Sequence, residues 1–183
     1  ELINRFKNKL NIIFITEKGC EMGKGRNIGA KLATSTYITF LDADDRFLSN
    51  HISASSHELD NNKNLDYVYG DNIYFLSNLY IFGERISPKL PLKRSDILRG
   101  NNFSLNSLTI RKSILLDDNY LPFMENEYGR QCEDWSCELK LMLSGKTNKY
   151  IDIPLSIVNI RNDSHTSWEA QVKTSTVMTD ILK

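Results

Sequence analysis

Residues 37–45 read Tyr-Ile-Thr-Phe-Leu-Asp-Ala-Asp-Asp. An aromatic and β-branched run of this length fits one buried strand. It then empties into three carboxylates, Asp42, Asp44 and Asp45. Carboxylates packed that closely repel one another unless positive charge lies among them. A strand that delivers them to its C-terminal end puts them where open α/β sheets bind ligands. Hard oxygen donors of this kind suit Mg²⁺ or Mn²⁺, which keep several waters and share a substrate's phosphates. The plainer reading is a solvated acidic turn, common chemistry after a strand. The nine residues by themselves leave both readings open.

The rest of the chain alternates in a way that predicts an α/β sheet. Leu2, Ile3, Phe6 and Leu10 recur at helical spacing, so residues 1–9 read as the end of an amphipathic helix. Residues 11–16, Asn-Ile-Ile-Phe-Ile-Thr, read as a buried strand and residues 17–25 as a loop with three glycines. Residues 26–33 form a helix with Ile28 and Leu32 on one face, and residues 37–41 the next strand. That strand–helix–strand order predicts a mostly parallel central sheet flanked by helices. Further along, residues 48–59 read as a helix with a polar stop at 60–64, and residues 66–75 as a strand. Residues 80–91 read as a loop or short hairpin, 94–99 as a helical turn, and 106–111 as a strand. Residues 117–131 are irregular. Residues 133–144 form a helix whose Trp135, Leu139, Met142 and Leu143 share a stripe, stopped by Gly145. Residues 149–160 read as a last strand, and a polar tail containing Trp168 follows. Tyr67, Tyr69, Tyr74 and Phe75 read as sheet packing, and His51 and His57 as exposed helix residues. No internal repeat is visible.

Two further motifs flank the acid turn. Upstream lies Gly25-Arg26-Asn27-Ile28-Gly29, and downstream Glu133-Asp134-Trp135. The order of the three motifs, from about residue 11 to about residue 167, resembles the family 2 glycosyltransferases, which have the Rossmann-like GT-A fold. The resemblance implies a GT-A domain over residues 1–168, followed by a tail over 169–183. That fold opens with an apolar strand and a loop that help hold the nucleotide base. This chain starts part-way through the helix that would follow, so the first strand is expected to be missing from it.

The resemblance also implies roles for individual residues. Asp44 is expected to contact a Mn²⁺ or Mg²⁺ ion, and Asp42 the ribose, or the metal through water. Asp45 either joins them or caps the next segment. Asp134 is expected to be the general base, with Glu133 as the alternative or as its orienting partner. Both are expected in the first turn of a helix, where the macrodipole favours the ionised form; an acidic helix start with no catalytic role has the same sequence signature. Arg26 and Asn27 are expected to line the nucleotide pocket together with Lys24. Glu17 stands where the family usually has an Asp near the base. His165 lies in a basic, hydroxyl-rich stretch that in relatives closes over the diphosphate, and is a weak candidate metal ligand. Gly19 to Lys24 is too short for a P-loop, and Gly25 stands where that motif requires Ser or Thr.

The expected activity is inverting transfer of a hexosyl or N-acetylhexosaminyl group from a nucleotide-sugar donor, with UDP-linked sugars the leading expectation. The acceptor would be a hydroxyl of a growing bacterial surface glycan, free or lipid-linked. A sugar nucleotidyltransferase would also use paired Asp and Mg²⁺, but needs a Gly-rich phosphate loop that this sequence lacks. A non-catalytic binding or assembly module is the other alternative. Composition is compatible with all of these. At 183 residues the chain is one domain or most of one, with 40% hydrophobic and 25% charged residues and zero formal net charge. No basic excess points to nucleic acid, and no apolar run approaches the roughly 20 residues of a membrane span. Cys20, Cys132 and Cys137 form no disulfide framework and no zinc pattern. The expected location is the cytoplasm, with peripheral association at the inner face of the membrane as an option; the oligomeric state is open.

Overall fold

The computed structural model describes residues 2–76, 84–86, 103–115, 123, 125 and 129–160. Among them are helices α1 (Leu2–Phe6), α2 (Met22–Leu32), α3 (His51–Asn61), α4 (Lys112–Leu115) and α5 (Gly129–Leu143). The strands are β1 (Tyr37–Thr39), β2 (Arg46–Phe47), β3 (Tyr67–Leu76), β4 (Glu84–Ile86), β5 (Thr109–Arg111) and β6 (Asn148–Ile160), and a 3₁₀ turn spans Leu105–Ser107.

The sheet runs β1-β5-β3-β6-β2, with β4 added beside β3. Its spine is the parallel ladder of β3 with β6, from Tyr67 opposite Asn148 to Leu76 opposite Ile160. The ladder leaves no room for a side chain at Gly70. A Cβ there would lie 2.7 Å from Leu155 Cδ1 and 2.9 Å from the Ile153 carbonyl oxygen. The ladder shifts register immediately after this glycine, the usual mark of a bulge. Tyr67, Tyr69, Leu108, Ile110, Phe123 and Leu141 form the centre of the main core, and Leu59, Leu65 and Val68 a smaller one under α3.

The α/β architecture is as expected, but the sheet is mixed rather than mostly parallel. The other pairings, β1–β5, β3–β5, β3–β4 and β2–β6, are antiparallel. Because β5 is antiparallel to both β1 and β3, those two run the same way, as their connecting helix requires. Helix alternation reveals that common direction; it does not reveal that β5 inserts between them.

Residues 11–16 form no strand. Ile13 and Phe14 are 56% and 71% exposed, and no ladder among the described residues includes the segment. Apolar, β-branched composition supplies strand propensity, but a strand forms only against a partner that takes up its backbone hydrogen bonds. Helix α1 is shorter than the nine residues expected, and α2 begins at Met22, so Gly23 and Gly25 are helical rather than loop residues. In α5, Trp135, Cys137, Leu139 and Leu141 are buried, whereas Leu143 is 59% exposed. The inward face therefore ends at Leu141, two residues before the sequence stripe suggests.

His51 is fully buried, not exposed. Its ring stacks on Phe47 at 4.1 Å, with Nε2 3.0 Å from Thr39 Oγ1 and Nδ1 3.2 Å from the Leu155 carbonyl oxygen. It is the first residue of α3 and joins that helix to β1 and β6, and burial holds its pKa below the usual histidine value. His57 is exposed, as expected. The expectations for residues 94–99, most of 117–131, His165, Trp168 and the tail lie outside the described residues.

Candidate functional site

Three distant motifs meet at one guanidinium. Arg26, in the second turn of α2, donates from Nη2 to Asp42 Oδ1 and from Nη1 to Glu133 Oε1, each at 2.7 Å. The Arg26 and Glu133 side chains are 12% and 9% exposed, and that of Asp42 45%. Burial pulls the guanidinium pKa down, but the Asp42 and Glu133 charges outweigh it and hold it above the ordinary value. This is the positive charge that a cluster of carboxylates requires.

The acid turn itself is held by amides. Asn106, in the 3₁₀ turn before β5, donates to Asp45 Oδ2 and accepts from the Asp42 backbone N–H at 3.0 Å. Asn159, near the end of β6, donates its backbone N–H to Asp45 Oδ1 at 2.8 Å and its side-chain amide to the Asp44 carbonyl. Asp45 is therefore a structural anchor. Burial, joined by the Asp44 and Asp42 charges, raises its pKa against the opposing Asn159 and Asn106 hydrogen bonds. Asp44 stays exposed and Asp42 half-exposed at the rim.

Glu133 and Asp134 lie in the second turn of α5, not the first, because the helix starts at Gly129. The macrodipole effect fades beyond the first turn, so their ionisation is set by neighbours. Burial, followed by the adjacent Glu133 charge, pushes the Asp134 carboxyl up to about 6. The Trp135 N–H, donating to Asp134 Oδ1 at 2.7 Å, and Arg26 pull the other way. Tyr74 of β3 completes this side. Its phenol pKa is raised by burial and then by the charges of Asp45 and Asp134.

Asn27, expected in the nucleotide pocket, is 2% exposed. Its amide donates to the Phe123 carbonyl at 2.9 Å and to Glu125 Oε1 at 2.8 Å, and its Oδ1 accepts from the Phe123 N–H at 3.3 Å. Lys24 pairs with Glu17 at 3.0 Å on the surface, away from the Arg26 bridge. Asn106, Asn159 and Phe123 are the site residues that sequence reading passed over, and Tyr74 was read only as sheet packing. Isolated amides and aromatics carry no motif, and only the fold brings them to the acid turn. Cys137 is buried, which pushes its thiol up to about 12 and makes it inert. A cavity of about 700 Å³ between β1, β5 and α3 is lined by Thr39, Ile52, Asp60 and Arg111, and by none of the acid cluster.

Among the described residues no group of three or more His, Cys, Asp or Glu side chains is arranged to hold a metal ion. Asp42 and Asp44 still fit one. Two rim carboxylates in a single turn suit an ion of the Mg²⁺ or Mn²⁺ type whose remaining ligands are water and substrate phosphates. No described helix is long and apolar enough to cross a membrane.

Strand, acid turn and acidic helix together define a protein of the GT-A glycosyltransferase fold class. The profile of glycosyl transferase family 2 matches residues 1–111, more than half of the chain, and the chain belongs to that family. Among solved structures, S. aureus TarS residues 1–349 align with a TM-score of 0.62 and 21% identity, covering 86% of this chain and 46% of that one. Longer S. aureus TarS gives 0.62 and 19%, over 87% and 28%. TarS 1–349 in complex with UDP-GlcNAc gives 0.59 and 13%, over 99% and 58%. The chain thus spans about half the length or less of most of these structures. A search of curated proteins gives no significant match.

Proposed function

We propose that this chain carries the donor site and general base of an inverting glycosyltransferase that uses a UDP-linked hexose or N-acetylhexosamine. The observation that carries the reading is Asp134. A carboxyl pushed up to about 6 beside an ion-paired Glu133 is mostly ionised at neutral pH yet basic enough to accept a proton. The UDP-GlcNAc complex of the structurally similar TarS supports the choice of donor.

In the proposed reaction the acceptor hydroxyl attacks the anomeric carbon from the face opposite the diphosphate. A new C–O bond forms as the bond to the diphosphate breaks, with its electron pair leaving on the diphosphate oxygen. Asp134 takes the hydroxyl proton, and Glu133, held by Arg26, orients the helix turn that carries it. Asp42 and Asp44 would hold Mn²⁺ or Mg²⁺, which supplies positive charge to the departing diphosphate. The acceptor is a hydroxyl of a growing cell-surface glycan, free or lipid-linked, reached at the inner face of the membrane.

The test is UDP binding by calorimetry on the full-length protein, with and without Mn²⁺, alongside D44A and D134N. The expected result is Mn²⁺-dependent binding that D44A abolishes and D134N retains, with D134N losing sugar transfer. Well-folded protein that binds no nucleotide would overturn the proposal in favour of a non-catalytic module.

A further inference from the structure

Asn27 lies next to the Arg26 bridge and spends all its hydrogen bonds inside the protein. Both amide hydrogens and the carbonyl oxygen are engaged, on Phe123 and Glu125, which satisfies the group at its buried position. Its grip on Phe123 is two-handed, on the backbone N–H and the carbonyl of the same residue. That fixes the stretch of backbone from which the Phe123 ring projects. The ring packs edge-on against Phe40 at 5.0 Å and lies under the Arg26 guanidinium at 5.6 Å, within range of a cation–π contact. Phe40 stands two residues before Asp42, so the ring is wedged between the base of the acid turn and the cation that bridges it to α5.

From this geometry we infer that Asn27 is a positioning residue. By clamping Phe123 beneath Arg26, it holds the guanidinium in the one rotamer that reaches Asp42 and Glu133 together. It does not touch donor or acceptor. An unsupported arginine has many rotamers, and fixing them carries an entropic cost. The aromatic platform and the two carboxylates limit the guanidinium to one. The catalytic half of the inference rests on the function proposed above; the positioning half does not.

The experiment uses the full-length protein and two readouts. The first is the Arg26 Nε–H signal in ¹⁵N NMR, assigned by its loss in R26K. It is expected to be sharp and dispersed in the wild type, and broadened or averaged in both N27A and F123L. The second is a cycle in kcat/KM. N27A should lower it about tenfold in the wild-type background, the scale of a partly desolvated cation–π contact, and leave it unchanged in the R26K background, where there is no guanidinium to position. A purely structural Asn27 would lower the melting temperature and reduce kcat/KM equally in both backgrounds, and that result would overturn the inference. So would an Arg26 signal that stays sharp in N27A. If no nucleotide sugar is turned over by the wild type, the function proposed above fails instead, and the NMR result still decides whether Asn27 orders Arg26.

Discussion

Replacing Arg26 by Met removes the bridge and most tests the site. The two halves of the bridge are unequal. Asp42 is 45% exposed, so water screens its pair with Arg26, and that half is worth about 0–1 kcal/mol. Glu133 is 9% exposed and 2.7 Å from the guanidinium. Deleting one partner of such a pair strands a buried charge and costs about 3–5 kcal/mol. The Glu133 half therefore dominates, and R26M is expected to destabilise the protein by about 4 kcal/mol, a fall in Tm on the order of 10 °C. Most of that loss belongs to the stranded carboxylate, so R26M/E133Q is expected to recover about 2 kcal/mol of it. Urea denaturation of the full-length protein at pH 7, with the m-value checked for constancy, reads both numbers. A loss in R26M below about 1 kcal/mol would refute the reasoning. A full-sized loss that E133Q does not relieve would do so as well, because either result means that Glu133 is not a stranded charge.

Asp134 gives a pH-dependent effect with a definite sign. Its folded pKa, about 6, lies above the ordinary aspartate value of 3.8, so the folded state holds the extra proton between those pH values and stability falls as pH rises through that window. D134N is therefore expected to stabilise the protein by on the order of 3 kcal/mol at pH 8, a gain that shrinks to nothing below about pH 4 in denaturation curves taken across pH, while the wild-type kcat/KM for the donor shows an acid limb near pH 6. Arg111 donates to the carbonyls of Leu59 at 2.5 Å, Asn62 at 3.3 Å and Leu65 at 2.7 Å, so it caps α3 and the turn after it. R111A is expected to cost about 2 kcal/mol, read by urea denaturation. G70A drives a Cβ into Leu155 and the Ile153 carbonyl and is expected to cost about 1–3 kcal/mol, with weakened amide protection along β6 in hydrogen exchange.

Legibility in the sequence followed the range of the forces involved. Long periodic segments declared themselves, and β3, α3 and β6 fall within a residue or two of their expected bounds apart from the later start of α3. Their patterns are local: alternation against one core face, or a helical stripe. Three things were not local. The insertion of β5 between β1 and β3 pairs Ile110 with Tyr67 and Arg111 with Tyr37 across long stretches of chain, invisible to periodicity. The exposure of residues 11–16 reflects that no described strand pairs with them. The burial of His51 depends on Thr39, Thr109 and Leu155 surrounding its ring, while its own neighbours in sequence, Asn50 and Ile52, read as ordinary surface helix. The site divides in the same way. Asp42, Arg26 and Glu133 were nominated by motif and do meet. The amides that hold the acid turn, Asn106 and Asn159, and the Phe123 platform under Arg26 are supplied by tertiary structure alone. Asn27 was nominated for the right neighbourhood; that its side chain is buried against Phe123 and Glu125 there is visible only in the fold.

The Arg26 bridge also bears on how two adjacent carboxylates come to have different roles. Glu133 and Asp134 share a helix turn and differ by one methylene. A helix advances about 100° per residue, so neighbours in sequence face different surroundings. Glu133 faces Arg26 and is neutralised there at 2.7 Å. At Asp134, burial and the Glu133 charge raise the pKa more than the pull of Arg26 lowers it. Pairs of titratable groups pushed apart in this way mark the division between an acid–base group and its electrostatic support. If Arg26 were drawn wholly to Asp42, the Glu133 charge would be uncompensated and would raise the Asp134 pKa further, to the detriment of a base needed at neutral pH. The donor side and the acceptor side of the proposed reaction are thus coupled through one guanidinium. A ligand that competes for Asp42 is expected to tighten Arg26 on Glu133 and lower the Asp134 pKa, so the acid limb of kcat, measured with the donor bound, should lie below that of kcat/KM for the donor, which reports the free protein. An acid limb at the same pH in both profiles would mean that the two carboxylate sites titrate independently and that Arg26 is only a structural tie.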